Sequence, residues 1–263
     1  MNAMIFDLDD TLYLRSDPLM RAMEMTFGSQ ALDGCRFLLA SKSEATAELS
    51  DQEKAAILSA IYRKHSNEVY DQSMKGEITM EEMYIYRIGR TMEDLGVTIT
   101  DEQALTFQKN YAYSQEHLYM HPEVEEMLTF LRDKGVFIGV ITNGPAEHQK
   151  GKYNALSLER FLPYDHFLSS GEAGVSKPDP EIMRIAQARW NLDPATTWYI
   201  GDSLAHDISC AQKENWHTLW LNLPEPDLGG KNFNDLGADA PKAEVTVTSL
   251  GEMRDEVCRI AMD

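Results

Sequence analysis

Two hydrophobic patterns divide the chain. In the first, a short apolar run ends at polar residues. Residues 4–6 are followed by Asp7, and residues 136–141 are followed by Thr142. In the second, apolar positions recur at helical spacing, as in residues 54–62. The first pattern is typical of buried strands and the second of amphipathic helices. The chain is therefore predicted to be an α/β protein.

Several short apolar segments have the length and composition of strands, and helical patterns separate most of them. Strands that alternate with helices favour a parallel sheet with right-handed crossovers. We therefore predict a mostly parallel sheet flanked by helices. The predicted strands are residues 4–6, 136–141, 167–169, 197–200, 218–221 and 244–247.

A long segment between the first two predicted strands, from about Leu14 to His117, shows only the helical pattern. Three capping-box signatures mark helix starts within it, beginning at Ser50, Thr79 and Thr100. We predict that residues 15–117 form a helical bundle inserted directly after the first strand. Because of that connection, we expect the bundle to sit over the carboxyl edge of the sheet as a lid.

Composition and charge exclude some classes of function. The chain of 263 residues can form one domain with an insertion, or two domains. Its net charge of -19, from 43 acidic and 24 basic residues, argues against a nucleic-acid surface, which needs clustered basic residues. No long apolar span or signal-peptide pattern is present, so we expect a cytoplasmic protein without a membrane partner. An anionic substrate would need a local positive centre within this negative field.

Polar side chains follow several of the predicted strands. Parallel strands present their carboxyl ends at one edge of a sheet, so these side chains should converge there. Two carboxylates held close together repel each other, and a hard dication relieves that repulsion. The polar clusters are Asp7 with Asp9, Thr142 with Asn143, Lys177, and Asp202 with Asp207.

Each cluster also has an ordinary structural explanation. Asp9 and Asp10 suit a turn, and so does the segment Thr142-Asn143-Gly144. Lys177 alone is more often a surface lysine, and the acids at 202 and 207 suit a helix start. The clusters therefore indicate a site only when they are taken together.

Taken together, the four clusters resemble the motifs of the haloacid dehalogenase (HAD) superfamily of phosphohydrolases, in order and in approximate spacing. The segment 15–117 is similar to the type 1 cap of subfamily I. The resemblance implies a Rossmann-like doubly wound parallel sheet core, residues 1–14 and 118–263, with an inserted α-helical cap domain, residues 15–117. The motifs are Asp7-Leu8-Asp9-Asp10-Thr11, Thr142-Asn143-Gly144, Lys177-Pro178, and Gly201-Asp202-Ser203 followed by Asp207.

The resemblance also implies a magnesium-dependent phosphatase acting on a small phosphorylated metabolite. The implied catalytic residues are Asp7 as nucleophile, Asp9 as general acid and base, Thr142, and Lys177, whose positive charge lets Asp7 attack an anion. Phosphate would be bound by Thr142, the backbone N–H of Asn143 and Lys177. Mg²⁺ would be held by Asp7, Asp202 and the backbone carbonyl of Asp9, with Asp207 binding through water or orienting the other ligands.

Three other functions compete with this one. A phosphomutase would return the phosphoryl group to a sugar, whereas a dehalogenase would need neither Asp9 nor the magnesium acids. A non-catalytic binding protein would not need intact acids. The sequence leaves open the substrate, the oligomeric state and the role of the loop 224–242.

Overall fold

The computed structural model describes residues 2–35, 38, 49–224 and 240–262, without the side chains of residues 70, 71 and 74. Most of the loop 224–242 therefore lies outside the described residues. The described residues form two compact units. The α/β unit contains residues 2–14, 118–224 and 240–262, and the helical unit contains residues 15–35, 38 and 49–117.

The α/β unit is built on a six-stranded sheet, in which every pairing of the described strands is parallel, with strand order β3-β2-β1-β4-β5-β6. The first strand is central, and its Phe6 lies opposite Val140 on one side and Ile200 on the other. This topology confirms the predicted Rossmann-like parallel sheet. The strands are β1 (Ala3–Phe6), β2 (Phe137–Thr142), β3 (Phe167–Ser169), β4 (Thr197–Gly201), β5 (His217–Leu221) and β6 (Val245–Val247).

The helical unit confirms the predicted helical segment as far as it is described. Its capping boxes form as predicted: the Thr79 hydroxyl accepts a hydrogen bond from Glu82 N, and the Glu82 carboxylate accepts one from Thr79 N. Apolar side chains such as Leu58, Met92 and Phe107 bury in one core within the unit. Its role as a lid stays a prediction. The helices are α1 (Ser16–Phe27), α2 (Asp51–Met74), α3 (Met80–Asp94) and α4 (Asp101–Glu116).

Helices cover both faces of the sheet. Successive side chains of a strand point to opposite faces, so Met4 and Phe6 of β1 pack in one apolar layer and Ile5 packs in the other. Burial on both faces explains why β1 reads as a continuous apolar run. The helices of this unit are α5 (Pro122–Asp133), α6 (Ala146–Ala155), α7 (Ser170–Ala173), α8 (Glu181–Trp190), α9 (Ser209–Lys213) and α10 (Leu250–Ile260), with a π-helical turn at Leu204–Ile208 before α9.

Several strand boundaries differ from the prediction by one residue. Val136 was expected to begin β2, but its N–H donates to Leu131 O at 3.0 Å and so completes the end of α5. At the other end, Thr142 pairs with Ser169 and belongs to the strand. The apolar run does not show which of its end residues bond to a helix and which bond to the sheet.

None of the described helices combines the length and the apolar composition that crossing a lipid bilayer requires. The cytoplasmic location stays a prediction.

Candidate active site

The polar residues that follow the central strands lie at the carboxyl edge of the sheet. Asp7 comes directly after β1, and its N–H donates to Ile200 O of β4 at 2.8 Å. Thr142 is the last residue of β2, and Asp202 follows the last residue of β4. These connections place the predicted site residues beside one another.

Lys177 is the buried cation of the site. Its Nζ donates to Asp7 Oδ1 at 2.7 Å, to Asp207 Oδ1 at 2.6 Å and to the Tyr199 hydroxyl at 2.9 Å. An ammonium group has three N–H donors, so these three contacts use all of them. Lys177 is only 4% exposed, and its charge is therefore directed at the two carboxylates rather than at water.

The side chain of Asn143 fixes the segment that carries Lys177. Asn143 Nδ2 donates to Lys177 O at 2.9 Å, and Lys177 N donates to Asn143 Oδ1, also at 2.9 Å. This reciprocal pair holds the backbone of Lys177 against the end of β2. Asn143 was predicted to bind phosphate through its own N–H, and the structure adds this second contact through its side chain.

Asp207 is held on both carboxylate oxygens. Its Oδ1 accepts from Lys177, and its Oδ2 accepts from Ser203 N at 3.0 Å. A Cβ at Gly201 would lie 2.5 Å from Asp207 Oδ2, so only glycine leaves room for this carboxylate. An acid held in this way is suited to orienting its neighbours.

Three carboxylates meet in this site. Asp7, Asp202 and Asp207 each offer an oxygen, and these oxygens lie within 4.8 Å of one another. Burial raises the pKa of Asp7 to about 7, with Asp207 and Asp9 adding to the rise and Lys177 opposing it. Burial lowers the pKa of Lys177, but the attraction of Asp207 and Asp7 outweighs it and raises that pKa well above its usual value. One buried ammonium thus faces two carboxylates.

This donor set fits a hard dication. Carboxylate oxygens are the ligands that Mg²⁺ and Ca²⁺ prefer in proteins. Asp7 gives one oxygen to Lys177, which leaves its Oδ2 for another positive partner. The backbone of Asp202 is itself anchored, because Trp220 Nε1 donates to Asp202 O at 2.8 Å.

Asp9 directs its carboxylate to a different set of donors. Its Oδ1 accepts from Lys152 Nζ at 2.6 Å and from the Tyr13 hydroxyl, and its Oδ2 accepts from Gln149 Nε2 at 3.2 Å. The same Gln149 nitrogen lies 2.9 Å from Thr142 Oγ1. Gln149 therefore links the first polar cluster of the sequence to the second.

The sequence prediction missed four of these side chains. Gln149 and Lys152 lie three residues apart on α6, so they share one helix face, and that spacing was the available signal. Tyr199 stands inside an apolar strand, where a buried hydroxyl needs a partner. Tyr13 gave no signal, because its contact with Asp9 depends on how the chain turns after β1.

Tyr199→Phe provides a test of the contacts around Lys177. The hydroxyl accepts from Lys177 and donates to Ile141 O at 2.9 Å. We expect its loss to cost about 1–2 kcal/mol in the free energy of unfolding and to lower turnover roughly tenfold, because one donor of Lys177 is left unsatisfied.

Tyr153→Phe is the matched control, since that buried hydroxyl donates to Leu162 O at 2.8 Å without touching a predicted site residue. Denaturant melts should show a similar loss for both variants, whereas turnover should fall only for Tyr199→Phe. Equal turnover in the two variants would show that the hydroxyl of Tyr199 has no part in the site.

Comparison with known proteins assigns the chain to a family. The family model of the haloacid dehalogenase-like hydrolases matches residues 1–213. The chain is a haloacid dehalogenase-like hydrolase. This assignment confirms the resemblance found in the motifs, and it makes the protein a hydrolase. In this family context the edge of the sheet that carries Asp7 is the candidate catalytic edge.

Two relatives of this HAD-like hydrolase match most of its length. It is similar to a phosphoserine phosphatase of Thermus thermophilus, 24% identical over 84% of this chain and 89% of that protein. It is also similar to a glyceraldehyde 3-phosphate phosphatase of Methanopyrus kandleri, 27% identical over 90% of this chain and 91% of that protein. The structure resembles the HAD hydrolase YfnB of Bacillus subtilis bound to magnesium, with a TM-score of 0.55 and 19% identity over 97% and 98% of the two chains.

Proposed function

We propose that this HAD-like hydrolase is a magnesium-dependent phosphatase that cleaves a small phosphomonoester through an aspartyl-phosphate on Asp7. The observation that carries the proposal is the buried contact of Lys177 with Asp7 and Asp207, with Asp202 beside them. The similarity to two phosphatases over most of their length supports it. The assignment of residues 15–117 as a cap domain belongs to the same proposal.

In the first step, a carboxylate oxygen of Asp7 attacks the phosphorus atom. The bond from phosphorus to the ester oxygen breaks, and the carboxylic acid of Asp9 gives its proton to that leaving oxygen. Lys177 offsets the repulsion between the Asp7 carboxylate and the anionic substrate, because its ammonium already lies 2.7 Å from Asp7. Thr142 and the N–H of Asn143 bind the phosphoryl oxygens.

In the second step, water attacks the phosphorus of the aspartyl-phosphate. The carboxylate of Asp9 takes a proton from this water, the bond between phosphorus and Asp7 breaks, and inorganic phosphate leaves. One residue thus serves as acid and then as base, as the reversal of proton flow requires. Splitting the reaction at Asp7 replaces one difficult displacement with two easier ones.

The metal would be held by Asp7, Asp202 and the backbone carbonyl of Asp9, with Asp207 orienting this group. A bound Mg²⁺ supplies positive charge to the phosphoryl oxygens. The buried acids support this assignment, because ionising Asp7 beside Asp207 and Asp9 is unfavourable without a further cation. Burial is the main cause of the raised pKa of Asp7, about 7, and the negative charges of Asp207 and Asp9 add to it.

The direct test is phosphate release from phosphoserine, glyceraldehyde 3-phosphate and p-nitrophenyl phosphate, with Mg²⁺ or with EDTA. We expect at least one substrate to be hydrolysed, and we expect activity only with the metal. Isomerised sugar phosphate without free phosphate would indicate a phosphomutase instead. Halide release from a 2-haloacid that survives EDTA would indicate a dehalogenase, and either result would overturn the proposal.

Asp202→Asn tests the metal site separately. An amide is a weaker ligand than a carboxylate, so we expect the Mg²⁺ concentration for half-maximal activity to rise at least about tenfold. The matched control is Asp193→Asn, because Asp193 is an exposed cap of a short turn that accepts from Ala195 N at 3.0 Å, and asparagine can replace it. A magnesium dependence that is the same in both variants would remove Asp202 from the metal site.

A further inference from the structure

We propose that Lys152 is a positioning residue, which holds the carboxylate of Asp9 in place for proton transfer with the help of Tyr13. This inference rests on the proposed function, in which Asp9 protonates the leaving oxygen. It concerns how this chain fixes a side chain that stands beyond the end of β1. Lys177 contacts Asp7, the proposed nucleophile, and Lys152 contacts Asp9, the proposed acid.

The contact between Lys152 and Asp9 is close and mostly shielded from water. Lys152 Nζ lies 2.6 Å from Asp9 Oδ1, and the two side chains are only 13% and 15% exposed. Exposed ion pairs contribute little because water screens them and both side chains lose freedom. A shielded pair of this length is held more firmly, because each group has given up water for the other.

Tyr13 makes the arrangement specific. Its hydroxyl donates to the same Asp9 oxygen, and its ring is 4% exposed within the core of the α/β unit. Lys152 Nζ lies 5.7 Å from the centre of that ring, so the ammonium also has a cation–π partner. The Tyr13 ring cannot shift without disturbing the core. Its hydroxyl and its face therefore fix the positions of the Asp9 carboxylate and the Lys152 ammonium.

The backbone explains why Asp9 needs this support. Asp7 is anchored to the sheet by its bond to Ile200, whereas Asp9 lies two residues further, next to Asp10 in the left-handed conformation with φ of 59°. A side chain on such a turn is not aimed by strand geometry. A general acid must stand within hydrogen-bond reach of the atom it protonates, and a misplacement of about 1 Å can cost about a hundredfold in rate.

The position of Lys152 in the sequence fits this role. It follows Gln149 by three residues on α6, and both side chains reach the carboxylate of Asp9, one oxygen each. Gln149 also contacts Thr142 and the backbone carbonyl of Asn143, at 2.9 Å and 2.5 Å. One face of α6 thus ties the acid to the segment proposed to bind phosphate.

The test compares Lys152→Met and Lys152→Arg with the control Lys150→Met. Lys150 is an exposed lysine on the same helix, and its Nζ lies over the ring of Tyr164 rather than near Asp9. Release of the leaving group in the first step is measured by rapid quench. The substrates are p-nitrophenyl phosphate and one alkyl phosphate, either phosphoserine or glyceraldehyde 3-phosphate, whichever the wild type hydrolyses faster. Nitrophenolate leaves without help from an acid, whereas the alkoxides need a proton.

We expect Lys152→Met to slow release from the alkyl phosphate at least about tenfold and release of nitrophenolate no more than about threefold. Lys152→Arg should recover part of the alkyl phosphate rate because it keeps the charge. Lys150→Met should match the wild type. Thermal melts verify that each variant folds. If Lys152→Met does not fold, Tyr13→Phe, which keeps the ring, replaces it in the test. It should also slow release from the alkyl phosphate more than release of nitrophenolate.

The possible results distinguish a failure of the positioning role of Lys152 from a failure of the proposed phosphatase function. A wild-type protein that hydrolyses none of the three esters overturns the proposed phosphatase. An active wild type in which Lys152→Met slows both substrates equally, or behaves as Lys150→Met does, overturns the positioning role and leaves the phosphatase standing.

Discussion

Replacing Asp7 with asparagine should lower hydrolysis of every phosphate ester by at least about a thousandfold, because the variant lacks the carboxylate oxygen proposed to form the covalent intermediate. Asparagine keeps the size of the side chain, and its amide oxygen can still accept from Lys177. Loss of activity with retained folding would therefore report chemistry. Steady-state phosphate release, measured beside the Asp193→Asn control, checks this, and a loss of less than tenfold would exclude Asp7 as nucleophile.

The same variant has an expected effect on stability. The pKa of Asp7 rises from 3.8 to about 7 on folding, so the native state holds this proton more tightly than the unfolded state. Wild-type stability from this group is therefore present below 3.8 and is lost as the pH rises through about 7. The wild type loses at most roughly 4 kcal/mol in the free energy of unfolding over this pH range. Asp7→Asn does not lose it, because asparagine does not ionise.

Denaturant melts of the metal-free proteins in EDTA test this expectation. Asp7→Asn should match the wild type below 3.8, become the more stable protein as the pH rises from there, and keep the full difference above about 7. Added Mg²⁺ should then stabilise the wild type more than the variant, because the proposed site binds the metal through the Asp7 carboxylate of the native state. A stability difference that does not change with pH would contradict the raised pKa of Asp7.

Lys177→Met should cost about 3–5 kcal/mol in the free energy of unfolding, because it leaves Asp7 and Asp207 buried without their ammonium partner. Turnover should fall at least about a hundredfold, since the proposed attack of Asp7 on an anionic substrate then lacks the positive charge of Lys177. Lys177→Arg should not restore either property. A planar guanidinium does not reproduce three contacts made from a single nitrogen.

The control for this loss is Lys213→Met, an exposed lysine whose Nζ lies 3.4 Å from Pro178 O. It removes the same charge next to Pro178, the residue that follows Lys177, and its contact with Pro178 O does not involve the buried acids. Melts and kinetics of the two variants should differ widely. If Lys177→Met proved as stable and as active as Lys213→Met, the buried contacts of Lys177 would have no role in this site.

Much of this fold could be predicted because its signals are local. The apolar run at residues 4–6, which ends at Asp7, is typical of a strand buried on both faces, and Thr79 with Glu82 is a local signature of a helix start. The convergence of Asp7, Asp202 and Lys177 also follows from sequence, since residues after parallel strands share one edge. These inferences need only the order of the elements.

The remaining contacts depend on tertiary geometry. The side chain of Asn143 holds the backbone of Lys177, which is 34 residues away, and nothing in the local pattern indicates this. The bond from Lys152 to Asp9 spans 143 residues and needs the position of α6 beside the first strand. Such pairs can be identified only once the order and register of the strands are known. The sequence therefore predicts roles for Asp7 and Asp9 but not the side chains that contact them.

The most direct measurement is to locate the phosphoryl group on the protein. Asp9→Asn protein is mixed with p-nitrophenyl phosphate and Mg²⁺ and quenched in acid, and the peptide that contains Asp7 is analysed by mass spectrometry. Because the variant lacks the base for the second step, the account predicts one equivalent of nitrophenolate and a phosphoryl group on Asp7, both absent after EDTA. An active wild type together with a trapped variant that carries phosphate at another residue, or at none, would contradict it.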